Sequence, residues 1–155
     1  MEERIIIETD GEIDITMPKN IEDFNYDFDI YLHNTDECIG NIWLDRGSEP
    51  EFIKYYGNVG YQIKEEYNGH HYSLKALKLM KQVMLRENIR TMLFSVLPEN
   101  VASKKIMERF GARIICYRPV PTSHKLYDIK GEKVIIYKYD IGDEINETSK
   151  GSRHI

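Results

Sequence analysis

Hydrophobic and polar residues change their spacing partway along the chain. Residues 25–33 alternate, with Tyr26, Phe28, Ile30 and Leu32 set against Asp27, Asp29 and Tyr31. That period of two predicts a half-buried antiparallel strand. Short β-rich runs at 4–9 and 12–17 flank Asp10-Gly11, a hairpin-turn dipeptide. After a polar turn at 34–37, residues 38–44 return as a strand through Ile39, Ile42, Trp43 and Leu44. Residues 46–51 carry Gly47 and Pro50 and read as a loop. Residues 55–63 read as a further strand, in which Gly57 and Gly60 predict a bulge or a close approach by another part of the molecule.

From 71 to 87 the period becomes helical. Ala76, Leu77, Met80, Val83 and Met84 recur at the i, i+3, i+4 spacing of a single apolar stripe, and Asn88 stands where a helix stop is expected. Residues 91–97 form a short apolar run closed by Pro98, which predicts a buried strand. A second helix is predicted over 100–110, with Asn100 as N-cap, Gly111 just past its end, and Ala102, Ile106 and Phe110 on one face. Strands are expected at 113–117 and 133–139, joined by a polar loop at 118–132 that contains Pro119 and Pro121. Residues 1–141 are expected to form a single domain, and residues 142–155, which carry no apolar pattern, a loose tail.

This order is a β-meander, then strand–helix–strand–helix, then a hairpin. It predicts an α+β fold with a mixed, mostly antiparallel sheet of about six to seven strands and helices packed on it. Residues 55–97 form a βαβ unit, so their two strands are expected to run parallel with a right-handed crossover.

Composition narrows the function classes. The 26 acidic against 21 basic residues give a net charge of −5, which argues against a nucleic-acid binder working through counterion release and suits amine partners better. No apolar run approaches the ~18 residues of a membrane span, and no basic stretch precedes an apolar one as in a signal peptide. The two cysteines, Cys38 and Cys116, lack metal or redox spacing, so a reduced, cytoplasmic setting is expected. The phosphate-binding patterns GxGxxG and GxxxxGK[ST] and the hydrolase pattern GxSxG are absent. No metal site is expected, because the adjacent His70 and His71 at a helix start point apart.

Two segments can carry chemistry. The first, residues 64–73, joins a strand to a helix start, where unpartnered N–H groups and the helix dipole form an anion site, and Gly69 allows a phosphate to approach the backbone. It can equally be an ordinary strand-to-helix turn. The second, Pro98-Glu99-Asn100-Val101-Ala102-Ser103, ends the neighbouring strand. Two adjacent parallel strands ending in helix starts define a crevice of the kind that binds ligands, into which Asn100 and Ser103 would project. The plainer reading makes Asn100 and Ser103 a capping pair.

Taken together, Gly60-Tyr61, residues 67–77, the Pro98–Ser103 stretch and Phe110-Gly111-Ala112 resemble the GNAT superfamily of N-acetyltransferases, closest to the branch of the ribosomal-protein alanine acetyltransferases. The resemblance is detailed over residues 55–117. It implies a GNAT-like fold whose parallel pair splays at the cofactor site, with acetyl-CoA as co-substrate. The family's phosphate loop falls on residues 68–73, which implies that Gly69, His70, His71, Tyr72 and Ser73 hold the pyrophosphate. Asn68 replaces the usual Arg or Gln, His71 a usual glycine, and Ser73 a usual Gly or Ala. A side chain of ordinary φ/ψ at 71 would leave the backbone donors intact, and an imidazolium there would suit a diphosphate.

The resemblance further implies main-chain pairing of the pantetheine arm with Gln62, Ile63 and Lys64, cofactor contacts from Asn100 and Ser103, and an oxyanion donor near Ile63. The family's tyrosine acid, seven residues after the asparagine, is Met107 here. Ser103 or a tyrosine from elsewhere could take the acid's place, or the thiolate could leave unassisted; His124 and Tyr127, in the 118–132 loop that the resemblance places near the acceptor, are the other candidate catalytic residues. Glu65 and Glu66 read as a solvated turn and His33 as a surface residue, so no base is identified. The expected activity is direct acetyl transfer from acetyl-CoA to a primary amine, either a small molecule or a peptide N-terminus. The alternative is a non-catalytic CoA-binding or sensor domain. The family also implies a homodimer, for which the C-terminal hairpin strand offers an edge.

Overall fold

The computed structural model describes residues 3–18, 25–47, 50–123 and 133–142. The expected α+β architecture is present. Five antiparallel strands lie in the order β1 (Ile6–Thr9), β2 (Ile13–Thr16), β3 (Asn25–Leu32), β4 (Cys38–Asp45) and β5 (Val59–Ile63). A second antiparallel sheet orders β6 (Thr91–Val96), β8 (Lys133–Asp140) and β7 (Arg113–Pro119). Three helices connect them: α1 (Pro50–Tyr56), α2 (Tyr72–Arg86) and α3 (Val101–Phe110). The described residues thus form eight strands divided between two sheets, where the sequence predicts six to seven in one. None of the three helices is long and apolar enough to cross a membrane.

The local sequence explains most of these elements. Asp10 closes the β1–β2 hairpin by accepting from the amides of Glu12 and Ile13, each at 2.8 Å, and Gly11 takes φ +85°. The α2 stripe is buried as its spacing predicts, and Leu79 joins it. Asn88 leaves α2 with φ +59°. Asn100 caps α3 by accepting from the Ser103 amide at 3.1 Å, and Gly111 ends the helix with φ +95°.

One segment departs from expectation. Residues 50–56 are helical, so the following strand begins at Val59 instead of 55. Pro50 suits a first helical turn, where its missing N–H is no loss. Gly57, at φ +75°, turns the chain out of α1. Its conformation and its surroundings both require glycine, because an added Cβ would stand 2.3 Å from the Leu93 carbonyl oxygen. At Gly60 a Cβ would meet the Trp43 indole at 2.1 Å. Both glycines therefore mark the close approach that the sequence predicts.

A single apolar cluster joins the two sheets. It contains Ile13, Ile15, Phe28, Ile30, Ile42 and Leu44 of the first sheet, Met92, Phe94 and Val96 of β6, and Met107 and Phe110 of α3, all packed with α2. A smaller cluster of Tyr55, Val120, Val134 and Ile136 lies apart from it.

The parallel pairing expected of β5 and β6 does not form among the described residues, and an antiparallel clamp just before β5 links them instead. Among the described residues the two strands share no ladder, and their link is the bridge Gly57↔Phe94 with the bonds of Asn58. The Asn58 amide donates to the Leu93 carbonyl at 2.9 Å, and its side chain accepts from the Leu93 amide at 2.8 Å and donates to the Thr91 carbonyl at 2.9 Å. Replacing it, Asn58→Ala, leaves a half-buried donor and acceptor unmatched. We expect a loss of about 2 kcal/mol in urea-unfolding free energy, whereas Asn41→Ala, which gives up a single side-chain bond to Asp27 at 3.0 Å, should cost less than about 1 kcal/mol.

Candidate active site

Beyond the Asn58 clamp, β5 and β6 are both edge strands of their sheets and face each other unpaired. In an extended strand, successive amides point to opposite sides. The Lys64 amide donates to the Ile39 carbonyl at 2.8 Å, toward β4. Gln62 follows the same parity, so the main-chain groups that face the split are those of Tyr61 and Ile63. Of the three expected pantetheine partners, Ile63 has the orientation to pair with a ligand, and Gln62 and Lys64 spend their amides on β4.

A cavity of about 370 Å³ opens at this end of the split. Ile63 forms one wall, the turn from Tyr67 to Leu74 another, and α3 the third through Ala102, Lys105, Ile106 and Arg109. Of the expected loop residues, Gly69, His71, Tyr72 and Ser73 line it. His70 does not, and its ring stacks on Tyr72 at 5.2 Å. Gly69 takes φ +90°, with open space where a Cβ would be.

His71 sits at the N-cap of α2 with φ +62° and ψ +23°, a left-handed conformation. Its backbone is therefore not ordinary: a histidine holds the geometry that a glycine adopts at no cost, which is worth roughly 1–2 kcal/mol for a residue with a Cβ. It makes no side-chain cap. The first amide of this turn to be bonded within it is that of Lys75, to the His71 carbonyl at 3.1 Å, so the amides of Tyr72, Ser73 and Leu74 have no intrahelical acceptor. The Arg109 guanidinium, which can only donate, stands 3.1 Å from His71 Nδ1. In that contact the nitrogen is the acceptor, and Arg109 and Lys105 bring two cations to this wall of the cavity.

Lys105 and Arg109 are the site residues that sequence reasoning missed. The available signal was their i, i+4 spacing on α3, in register with Ala102 and Ile106; two cations on a helix otherwise read as a solvated face. Asn100 and Ser103 do not line the cavity. Asn100 is the α3 cap, as the plainer reading had it. Ser103 is half-buried in the first turn of α3 and neighbours the Tyr61 phenol. Burial pushes that phenol's pKa up, and the Ser103 hydroxyl opposes the shift. His124 and Tyr127 lie outside the described residues. His33 is not a plain surface residue: its Nδ1 stands 2.8 Å from the buried Asp14 carboxylate, which also accepts from Thr9 at 2.6 Å. Glu65 and Glu66 form an exposed 3₁₀ turn, as expected. Burial, followed by the negative charges of Glu37 and Glu66, raises the Tyr67 phenol's pKa. No group of three or more metal-ligating side chains occurs among the described residues.

A second cavity, of about 200 Å³, lies at the clamp and is lined by Asn25, Asp27, Trp43, Asp45, Tyr56 and Gly57. Asp27 and Trp43 alternate with the core residues Phe28, Ile42 and Leu44, so this cavity opens on the sheet face away from the main core.

A family model described as an acetyltransferase (GNAT) domain matches residues 5–113. No curated protein matches the chain in sequence. Among solved structures, an acetyltransferase from Agrobacterium tumefaciens is 25% identical, with a TM-score of 0.55, over 74% of this chain and 60% of its own. The ribosomal-protein-S5-alanine acetyltransferase from Vibrio fischeri is 20% identical, with a TM-score of 0.61, over 77% of this chain and 63% of its own. An acetyltransferase from Salmonella typhimurium that modifies the N-terminal serine of the ribosomal protein L7/L12 is 20% identical, with a TM-score of 0.58, over 76% and 64%. The chain thus spans somewhat under two thirds of the length of these structures. The split between β5 and β6, the turn that meets it and the breadth of the family match agree: this chain belongs to the GNAT acetyltransferase family.

Proposed function

We propose that the chain is an acetyl-CoA-dependent N-acetyltransferase that moves an acetyl group directly to a primary amine, with a peptide N-terminus as the favoured acceptor class. The observation that carries this reading is the cavity at the mouth of the β5–β6 split. There the unbonded amides at the start of α2 meet the cations Lys105 and Arg109 across a space open to solvent. Backbone donors, a helix dipole and two cations suit a diphosphate. The groove beyond them suits a narrow, amide-bearing chain such as pantetheine.

Transfer needs the thioester carbonyl polarised, the amine placed in line and the thiolate released. The Ile63 amide, facing the split, supplies a donor for the developing oxyanion. The acceptor would enter from the second cavity, where the Asp27 and Asp45 carboxylates attract an ammonium and Trp43 and Tyr56 offer ring faces to it. The peptide N-terminus is favoured because the Salmonella protein of the same fold modifies one. A second reading, a CoA-binding domain without catalysis, is favoured by one observation: Met107, where the family places its acid, is a fully buried thioether.

Isothermal titration should give saturable acetyl-CoA binding below millimolar concentration, and no binding at near-millimolar ligand would remove the proposal. Arg109→Ala and Lys105→Ala should each weaken binding about tenfold, the scale of one lost charge-assisted contact, with a shallower dependence on added salt. To separate the two readings, free thiol is followed while peptides beginning with serine or alanine and a panel of small amines are offered. Release on at least one acceptor is expected. Binding without release on any of them would establish the non-catalytic reading.

A further inference from the structure

We propose that the acceptor carries a second positive charge, and that the cavity lined by Asp27, Trp43, Asp45 and Tyr56 holds this non-reacting cation while the reacting amine lies at the split. The assignment rests on the acetyltransferase reading above and specifies the acceptor that such an enzyme would take.

Strand register sets the distance. Asp27 and Trp43 are cross-strand partners, and Trp43 is level with Gly60 of β5. Asp45 pairs with Asn25 and lies beside Asn58, whose carbonyl accepts from the Asp45 amide at 2.8 Å. Ile63, whose amide faces the split, stands three positions beyond Gly60 and five beyond Asn58. At ~3.3 Å per residue these levels are roughly 10 and 16 Å from it along the strand. Asp27 is further removed because β3 and β5 are separated by β4. An amine attacking an acetyl carbonyl held at Ile63 is therefore out of contact with both carboxylates.

The chemistry agrees with the distance. An attacking nitrogen must be neutral, and a carboxylate beside it would favour the ammonium form. A nitrogen that does not react is under no such restriction, and the cavity suits it. Asn25, Asp27, Trp43 and Asp45 alternate along two paired strands and so share one sheet face. Asp45 is 5% exposed, and one of its oxygens accepts from the Gly47 amide at 3.1 Å, which fixes its position. A carboxylate enclosed in this way attracts a cation more strongly than one in open water, and Trp43 and Tyr56 bring ring faces to the same space of about 200 Å³.

Trp43 also joins the cavity to the split. Its indole lies against Gly60, where an added Cβ would stand 2.1 Å from it, and it is 39% exposed. It offers an apolar floor to the chain that links the two nitrogens. The ligand that fits is a linear amine with a cation at each end. A diamine or polyamine has this form, as does a peptide N-terminus followed at its third or fourth residue by Lys or Arg.

The test uses the full chain with coenzyme A present. Diaminoalkanes from butane to dodecane, and monoamines of equal length, are titrated calorimetrically into wild type, Asp45→Asn and Asp27→Asn. Thiol release from acetyl-CoA is followed with the same amines, and a melting curve checks that each variant is folded. Diamines should bind more tightly than monoamines of the same length, most of all between heptane and dodecane, which extended reach the two distances. Added salt should reduce the preference. Asp45→Asn should lower it about tenfold and the exposed Asp27→Asn about threefold. Asp27→Asn alone decides the matter should Asp45→Asn not fold. Serine-initiated peptides with Lys or norleucine at the third residue are run in parallel. Higher kcat/KM for the diamines identifies a small polyamine as the source of the two charges, and higher kcat/KM for the Lys peptides a protein N-terminus; either result supports the proposal. Thiol release with no preference for a second charge overturns the assignment alone, as does a preference that survives the substitutions. No release from any acceptor overturns the acetyltransferase reading and the assignment with it.

Discussion

Asn58 joins the two sheets at one point. Its carbonyl accepts from the Asp45 amide at 2.8 Å, toward β4, while its amide and side chain bond to Leu93 and Thr91 of β6. Among the described residues, the bonds of Asn58 and the adjoining Gly57↔Phe94 bridge are the main-chain tie that supplements side-chain packing between the two sheets. With a longer one, β5 and β6 would pair along their length and spend the main-chain groups that now face each other. The useful arrangement is a short tie followed by divergence. Gly57 makes it attainable, since no other residue could bring its backbone so near Leu93 in that conformation. The free edges that result would be a liability on an outer strand. Facing each other across a narrow groove, they become a place for an extended, amide-bearing molecule.

Charge is arranged on the same plan. The chain carries a net −5, yet the cavity gathers Lys105, Arg109 and the open amides of α2. The left-handed His71 belongs to this arrangement. Its conformation is costly for a residue with a Cβ, and the Arg109 contact both offsets part of that cost and fixes the guanidinium over the loop. A glycine at this position would relax the backbone and release the arginine. The departure from the family's loop is therefore coupled to a residue 38 positions away.

That coupling also marks the limit of what the sequence discloses. The α2 stripe, the Asn100 cap, the Gly111 stop and the close approaches at Gly57 and Gly60 are local facts, each fixed by a periodicity or a backbone demand, and each was legible. Helix α1 was not. Its seven residues are too few to display a helical period, and Tyr55-Tyr56 favours a strand reading on propensity alone. The division into two sheets depends on Asn58, whose partners lie 33 and 35 residues away. Lys105 and Arg109 look like any exposed pair until α3 is set across from α2. Which amides of residues 61–64 face the split follows only from the register with β4.

The division of labour along β5 follows from these constraints. Gly57 lines the small acidic cavity on one face of the sheet, and Ile63 lines the larger basic cavity at the other end of the strand. On the proposed reading, an ammonium and a diphosphate are thus drawn to sites of opposite charge, whose lining residues Gly57 and Ile63 stand six positions apart on one chain segment. Neither ligand has to cross the other's field to arrive. The atoms that react must then meet near the middle of that segment, where Gly60 is pressed against Trp43 on one face and Tyr61 turns its ring inward on the other. A strand that is rigid at one end and unpaired along one edge can hold both partners in line only if its middle is fixed from both faces, and the indole of Trp43 and the core beneath Tyr61 provide that.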